Sequence, residues 1–147
     1  MVLALIIDGP LTPELEARTL LGHADQLRSL SGDGTIGATL RFEGIVRRAE
    51  RDPEAADAER DLLALDYQTY DPMAQRELEA LAASVAARHG LKSIVALHSR
   101  GRVRVGEVSF VLQVAAPHRA ESLAAVADFI DRLKQDVPIW KWSVWAV

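Results

Sequence analysis

Apolar residues run unbroken from Met1 to Ile7 and stop at Asp8-Gly9-Pro10, which predicts a buried first strand. Thr12-Pro13-Glu14 then supplies a capping hydroxyl, a proline suited to the first helical turn and an acid for the helix dipole. Apolar positions at Ala17, Leu20, Leu21, Ala24, Leu27 and Leu30 predict a single helix running through Gly22 and ending in Ser31-Gly32-Asp33-Gly34. Between Thr35 and Arg47 the pattern changes to period two, with Leu40, Phe42 and Val46 alternating against Thr39, Arg41, Glu43 and Arg47. That is a strand, and Gly37 and Gly44 mark points of bulging or close backbone approach.

The run from Arg48 to Asp61 is mostly charged, has no hydrophobic period and reads as a solvated, mobile loop between paired strands. Asp61 to Tyr67 forms a strand. Asp71-Pro72 then caps a second helix with Leu78, Leu81 and Val85 on its apolar face; Arg88 and His89 suit its C-terminal dipole and Gly90 ends it. His89 therefore reads as structural. Leu91 to His98 is a further strand, Gly101 and Gly106 flank a short Arg-Val-Arg-Val segment, and Val108 to Val114 alternates most cleanly of all. Ala120 to Asp136 is a third helix, stopped by Val137-Pro138 because the residue before proline avoids helical geometry. Trp142 to Val147 completes the pattern as a closing strand. No internal repeat stands out, and the elements together imply an α+β sandwich with a mixed, largely antiparallel sheet and about three helices.

Composition narrows the function classes. The 147 residues fit one domain, residues 1–147, and the values of 49% hydrophobic and 26% charged residues are those of a globular chain. The first apolar run is far shorter than the roughly 20 residues of a membrane span and lacks a basic leader, so neither a bilayer crossing nor a signal peptide is expected and the cytoplasm is the default location. There is no cysteine, which excludes disulfides, thiolate metal sites and cysteine nucleophiles. A net charge of -4 gives no global attraction to nucleic acid. His23, His89, His98 and His118 lack metal-ligand spacing, so no protein-bound metal is expected.

Candidate chemistry concentrates near the third helix. His118 and Arg119 lie at its start, where the helix dipole disfavours cations, so the pair either faces an anion or folds outward into water. Leu123, Val126, Ile130 and Leu133 form the expected buried stripe, and Lys134 falls inside its angular range, where a lysine either snorkels or is held in a pocket. Lys141 lies just past the Pro138 break, between Trp140 and Trp142. If the chain turns back there, Lys134, Lys141 and Arg119 line one partly apolar, cationic pocket fit for a polyanionic substrate.

Five segments, taken in order, resemble the large, catalytic subunit of molybdopterin synthase: Phe42 to Arg47, Leu65 to Ala74, Gly101 to Glu107, His118-Arg119, and Ile130 to Lys141 with its I-D-x-L-K-x-x-V-P-I-W-K pattern. The resemblance implies an α/β-hammerhead-type fold and a homodimer, with each subunit receiving the C-terminal tail of a small ubiquitin-like sulfur-carrier subunit. That tail ends in a Gly-Gly thiocarboxylate, whose sulfur passes to cyclic pyranopterin monophosphate to build the molybdopterin dithiolene. The pterin is substrate, and no permanently bound cofactor is implied. By the same resemblance Lys134 and Lys141 are catalytic, His118 and Arg119 contact the substrate anion, and Phe42 and Arg47 line the pocket near the tail. Trp142-Ser143 departs from the basic-acidic pair usual after the motif lysine, and His98-Ser99 stands where the family has His-Arg, with Arg100 one residue away as a substitute. The rival reading is a non-catalytic homologue that only binds the sulfur carrier.

Overall fold

The computed structural model describes the backbone of residues 1–147 and every side chain except those of Leu27, Leu30 and Ser31. The predicted apolar positions Leu27 and Leu30 therefore lie outside the described residues. In chain order the elements are β1 (Val2–Asp8), α1 (Pro13–Leu21), α2 (Ala24–Gly32), β2 (Ala38–Ile45), β3 (Ala49–Asp52), a 3-10 turn (Pro53–Ala55), β4 (Ala58–Thr69), α3 (Met73–His89), β5 (Ser93–Arg104), β6 (Val108–Ala116), α4 (Arg119–Asp136) and β7 (Ile139–Trp145).

Strand β5 organises the sheet because it is long enough to serve two neighbourhoods. Its first half, Ser93 to His98, pairs antiparallel with β6 while β1 runs parallel on its other side. Its second half, Gly101 to Arg104, pairs antiparallel with β4, which in turn carries β7 and β3. The strand order is β2-β6-β5-β4-β3, with only the β1–β5 pair parallel among the described residues, so the α+β, largely antiparallel expectation agrees with the structure. No described helix is long and apolar enough to cross a membrane.

Three apolar clusters follow from the pleat. Ala4, Ile94, Phe110, Leu112 and Val114 face Leu78, Leu81, Val85 and Phe129, so α3 and α4 cover one side of the sheet. Leu3, Val95, Leu97 and Val111 point the other way, onto Leu11 and Leu20 beside α1. Val46, Leu62, Leu65 and Val103 hold the β4 end together. Burying β6 on both faces explains why Val111 is apolar at a position where simple alternation calls for a polar residue. The open edge of β1 is covered by Gln75, whose amide accepts from Ile6 N–H (3.0 Å) and donates to Ala4 carbonyl (2.8 Å).

Several local expectations are corrected. The first helix is two helices, split at Gly22-His23: glycine weakens a helix interior by about 1 kcal/mol, and His23 N–H turns back to Leu20 carbonyl (2.9 Å). This raises the helix count to four. The charged run 48–61 is largely a β-hairpin and not a loop. Its two identical strings, Ala49-Glu50-Arg51-Asp52 and Ala58-Glu59-Arg60-Asp61, pair antiparallel, which sets Glu50 opposite Arg60 and Arg51 opposite Glu59. The short repeat is the signal that a search for hydrophobic period overlooks, since cross-strand charge pairs stabilise this hairpin. Asp71 does not cap α3. Its carboxylate accepts from Thr69 Oγ1 (2.7 Å) and pairs with Arg100, leaving the helix start without a side-chain cap.

The buried stripe of α4 is rotated from its expected position. Ser122, Ala125 and Phe129 are buried, Val126, Ile130 and Leu133 pack along its edge, and Leu123 and Lys134 are exposed. Hydrophobicity favours the larger side chains, whereas close approach to β2 admits only small ones: Ser122 Oγ lies 3.4 Å from the Ala38 carbonyl it donates to. The same close approach holds Gly37, where an added Cβ meets the Pro117 carbonyl oxygen at 2.1 Å. Gly37 N–H donates to Ala116 carbonyl (3.0 Å), so the backbone has no room to yield. Gly37→Ala is expected to cost up to about 3 kcal/mol, read as a lowered urea midpoint with unchanged slope.

Candidate functional site

The junction where β5 passes from β6 to β4 gathers aromatic and polar side chains from distant parts of the chain. Phe110 on β6 touches Phe129 of α4 (5.9 Å between ring centroids), Phe42 of β2 (6.2 Å) and His98 of β5 (5.7 Å). His98 meets the Tyr67 ring edge-on at 5.2 Å. Tyr67 Oη donates to Ser109 Oγ (3.0 Å), which donates to the Gly44 carbonyl (3.2 Å). Gly44 sits at the β2 irregularity and packs directly on Phe110, so the close-approach role expected of it is realised here.

Register places Lys141 opposite Tyr67 on neighbouring strands, so both project from the same face. The two-residue period sends Trp140 and Trp142, its neighbours in the sequence, to the other face. Trp142 is exposed, whereas Trp145 packs into the β4 cluster beneath the Arg60 guanidinium. Lys141 Nζ donates to Glu50 Oε1 (3.3 Å), and Arg47 Nη2 donates to the same oxygen (3.2 Å). Glu50 is 19% exposed, against 76% for Arg47 and 52% for Lys141, so the carboxylate lies beneath two cations whose outer faces are open to water.

The electrostatics follow the burial. Desolvation alone raises the Glu50 carboxyl, but the charges of Lys141 and Arg47 and their hydrogen bonds outweigh it, and the group sits below the ordinary carboxylate range. Burial pushes the Tyr67 phenol up, with the Ser109 contact opposing and the Glu50 charge adding to the rise. Burial pushes His98 down and keeps its ring neutral; Nδ1 lies 2.8 Å from the Ser99 carbonyl, an acceptor only, so Nδ1 carries the proton.

Of the residues singled out in the sequence, Arg47 and Lys141 meet on Glu50, and Phe42 joins the aromatic cluster through the Phe110 ring. His118 and Arg119 do not join them. β6 ends at Ala116, beside Ala38 at the far end of β2, and α4 starts there. The helix then runs back over the sheet, with Ser122 against Ala38 and Phe129 against Phe110. Lys134 is carried to the Phe110 end, exposed and with no hydrogen bond or ion pair among the described residues. At about 1.5 Å per residue, Arg119 and Lys134 are roughly 22 Å apart along one helix, so a single copy does not close all three cations around one anion. Nor is Arg100 a substitute anion contact: it is held by Asp8 (2.7 Å) and Asp71. Sequence reading missed Glu50 and gave no site role to Ser109 or to Tyr67, although Tyr67 lies within the Leu65 to Ala74 segment; what brings the three together is strand register.

The fold and site define an α+β protein whose sheet junction sets two cations, Arg47 and Lys141, on one carboxylate close to a cluster of aromatic rings. A family model described as MoaE protein matches residues 19–136. The molybdopterin synthase catalytic subunit of Nostoc sp. is 34% identical over 122 residues, covering 82% of this chain and 70% of that one. The human molybdopterin synthase catalytic subunit is 38% identical over 84 residues, 57% of this chain and 45% of that one. The chain thus spans most of the first relative's length and under half of the second's. The crystal structure of molybdopterin synthase from Staphylococcus aureus superposes with a TM-score of 0.72 at 25% identity, over 96% of this chain and 90% of that one. The Helicobacter pylori complex of subunits 1 and 2 of molybdopterin-converting factor contains the same fold, with a TM-score of 0.68 at 24% identity, over 99% of this chain and 90% of that one. This chain belongs to the MoaE family, whose relatives named here are molybdopterin synthase catalytic subunits.

Proposed function

We propose that the chain is a molybdopterin synthase catalytic subunit that works in the cytoplasm. It moves sulfur from the thiocarboxylated Gly-Gly end of a small ubiquitin-like carrier to cyclic pyranopterin monophosphate. The observation that carries this reading is the convergence of Arg47 and Lys141 on one carboxylate oxygen, on a chain with no cysteine of its own to hold the sulfur. Arg47 steadies the carboxyl end of the visiting tail and Phe42 packs its glycines. Lys141 and Lys134 stabilise the negative charge that develops as the thiocarboxylate sulfur displaces an oxygen of the pterin side chain and water then cleaves the acyl–sulfur bond, which leaves the sulfur on the pterin and releases the carrier tail as a carboxylate. His118 and Arg119 grip the substrate phosphate, and since one copy holds them far from Lys134, they serve the site of a second copy in a homodimer.

The test is reconstitution with thiocarboxylated carrier and cyclic pyranopterin monophosphate, following dithiolene product. Carrier binding with no dithiolene would mean a module that only docks the carrier. The shared site has its own test. Arg119→Ala and Lys134→Ala are each expected to be inactive, but unfolding and re-assorting an equal mixture should restore about a quarter of wild-type activity, because half the dimers then hold one intact site of two. No recovery would place all the cations of a site on one copy.

A further inference from the structure

Glu50 belongs to no motif of the family resemblance and lies in the segment whose sequence suggested only a charged loop. Its position in the structure is specific. One carboxylate oxygen accepts from both Arg47 (3.2 Å) and Lys141 (3.3 Å), although the two cations are far apart in sequence and come from different strands or their flanks. The carboxylate is the most buried of the three groups, at 19% exposure, and lies on the protein side of the pair. A carboxylate on the solvent side would block a visiting anion; one underneath leaves the outer faces of both cations available. Two flexible cationic side chains repel one another and have many rotamers, and a shared acceptor between them removes both obstacles. The hairpin of β3 with β4 fixes Glu50 through the Glu50–Arg60 register, so the support is rigid.

We infer that Glu50 is a positioning residue for sulfur transfer: from beneath, its carboxylate aims Lys141 and Arg47 together at the carboxyl end of the incoming tail. This rests on the sulfur-transfer reading above. The cluster carries two cations against one anion, so neutralising Glu50 strengthens local attraction for anions while releasing the lysine from its aim.

The test is steady-state kinetics of Glu50→Gln and Glu50→Asp with carrier and cyclic pyranopterin monophosphate, together with thermal unfolding. Glu50→Gln is expected to lower kcat about tenfold, with KM for the carrier unchanged or lower and Tm within about 2 °C of wild type; Glu50→Asp, which keeps the charge, is expected to recover at least threefold of that loss. A kcat within twofold of wild type in Glu50→Gln overturns the inference. So does a loss accompanied by raised KM and lowered Tm, which marks a structural role, and so does Glu50→Asp no better than Glu50→Gln. An inactive wild-type protein defeats the sulfur-transfer reading itself, an outcome separate from all three.

Discussion

Lys141→Ala and Lys134→Ala are each expected to reduce dithiolene formation about 10³-fold while leaving the fold intact. The size of the effect comes from what the lysines are asked to do: a cation placed where negative charge develops is worth about 10²–10³ in rate, and proton transfer adds to that. The small effect on folding comes from exposure. Lys134 makes no hydrogen bond or ion pair among the described residues, and Lys141 is half exposed with a single partner, Glu50. An exposed pair of this kind contributes under about 1 kcal/mol. Single-turnover assays beside urea unfolding check both halves of the expectation. Retained turnover in either variant would remove that lysine from the chemistry.

Phe129→Ala is expected to have the largest effect on stability, about 3–5 kcal/mol, or roughly 10 °C in Tm. Phe129 is fully buried and stacked on Phe110 at the point where α4 crosses the sheet. Phe110 in turn touches Phe42 and His98, so the cavity opens directly beneath the site. The loss is a large share of the roughly 5–15 kcal/mol that holds an ordinary domain folded. Calorimetry at matched concentration measures it. A cost under about 1 kcal/mol would mean that α4 is not anchored to the sheet through this ring.

Much of the fold was legible because its causes are local. The Thr12 cap is present, with its hydroxyl accepting from Leu15 N–H (3.2 Å), and Gly90 takes the left-handed conformation (φ 61°) that ends α3. Leu78, Leu81 and Val85 are buried as their spacing predicts. The errors have a common origin in packing. α4 turned its small residues inward because the backbone of β2 comes close, and the charged hairpin was hidden because opposite charges, not apolar alternation, pair its strands. His89, read as structural, pairs with Asp128 at 2.8 Å, a partner that no spacing rule identifies.

By itself the sequence determined most of the kinds of element, the ends that a cap or a proline marks, the absence of thiol chemistry and a set of candidate cations, because capping, periodicity and composition act over a few residues. Only the tertiary structure decided which of those cations meet. Strand register set Lys141 beside Tyr67 and over Glu50, and the return of α4 along β6 moved Lys134 to that end of the sheet while leaving Arg119 at the other. Register and helix direction are fixed by contacts between residues far apart in the chain, and no local pattern records the distance between two side chains brought together in that way.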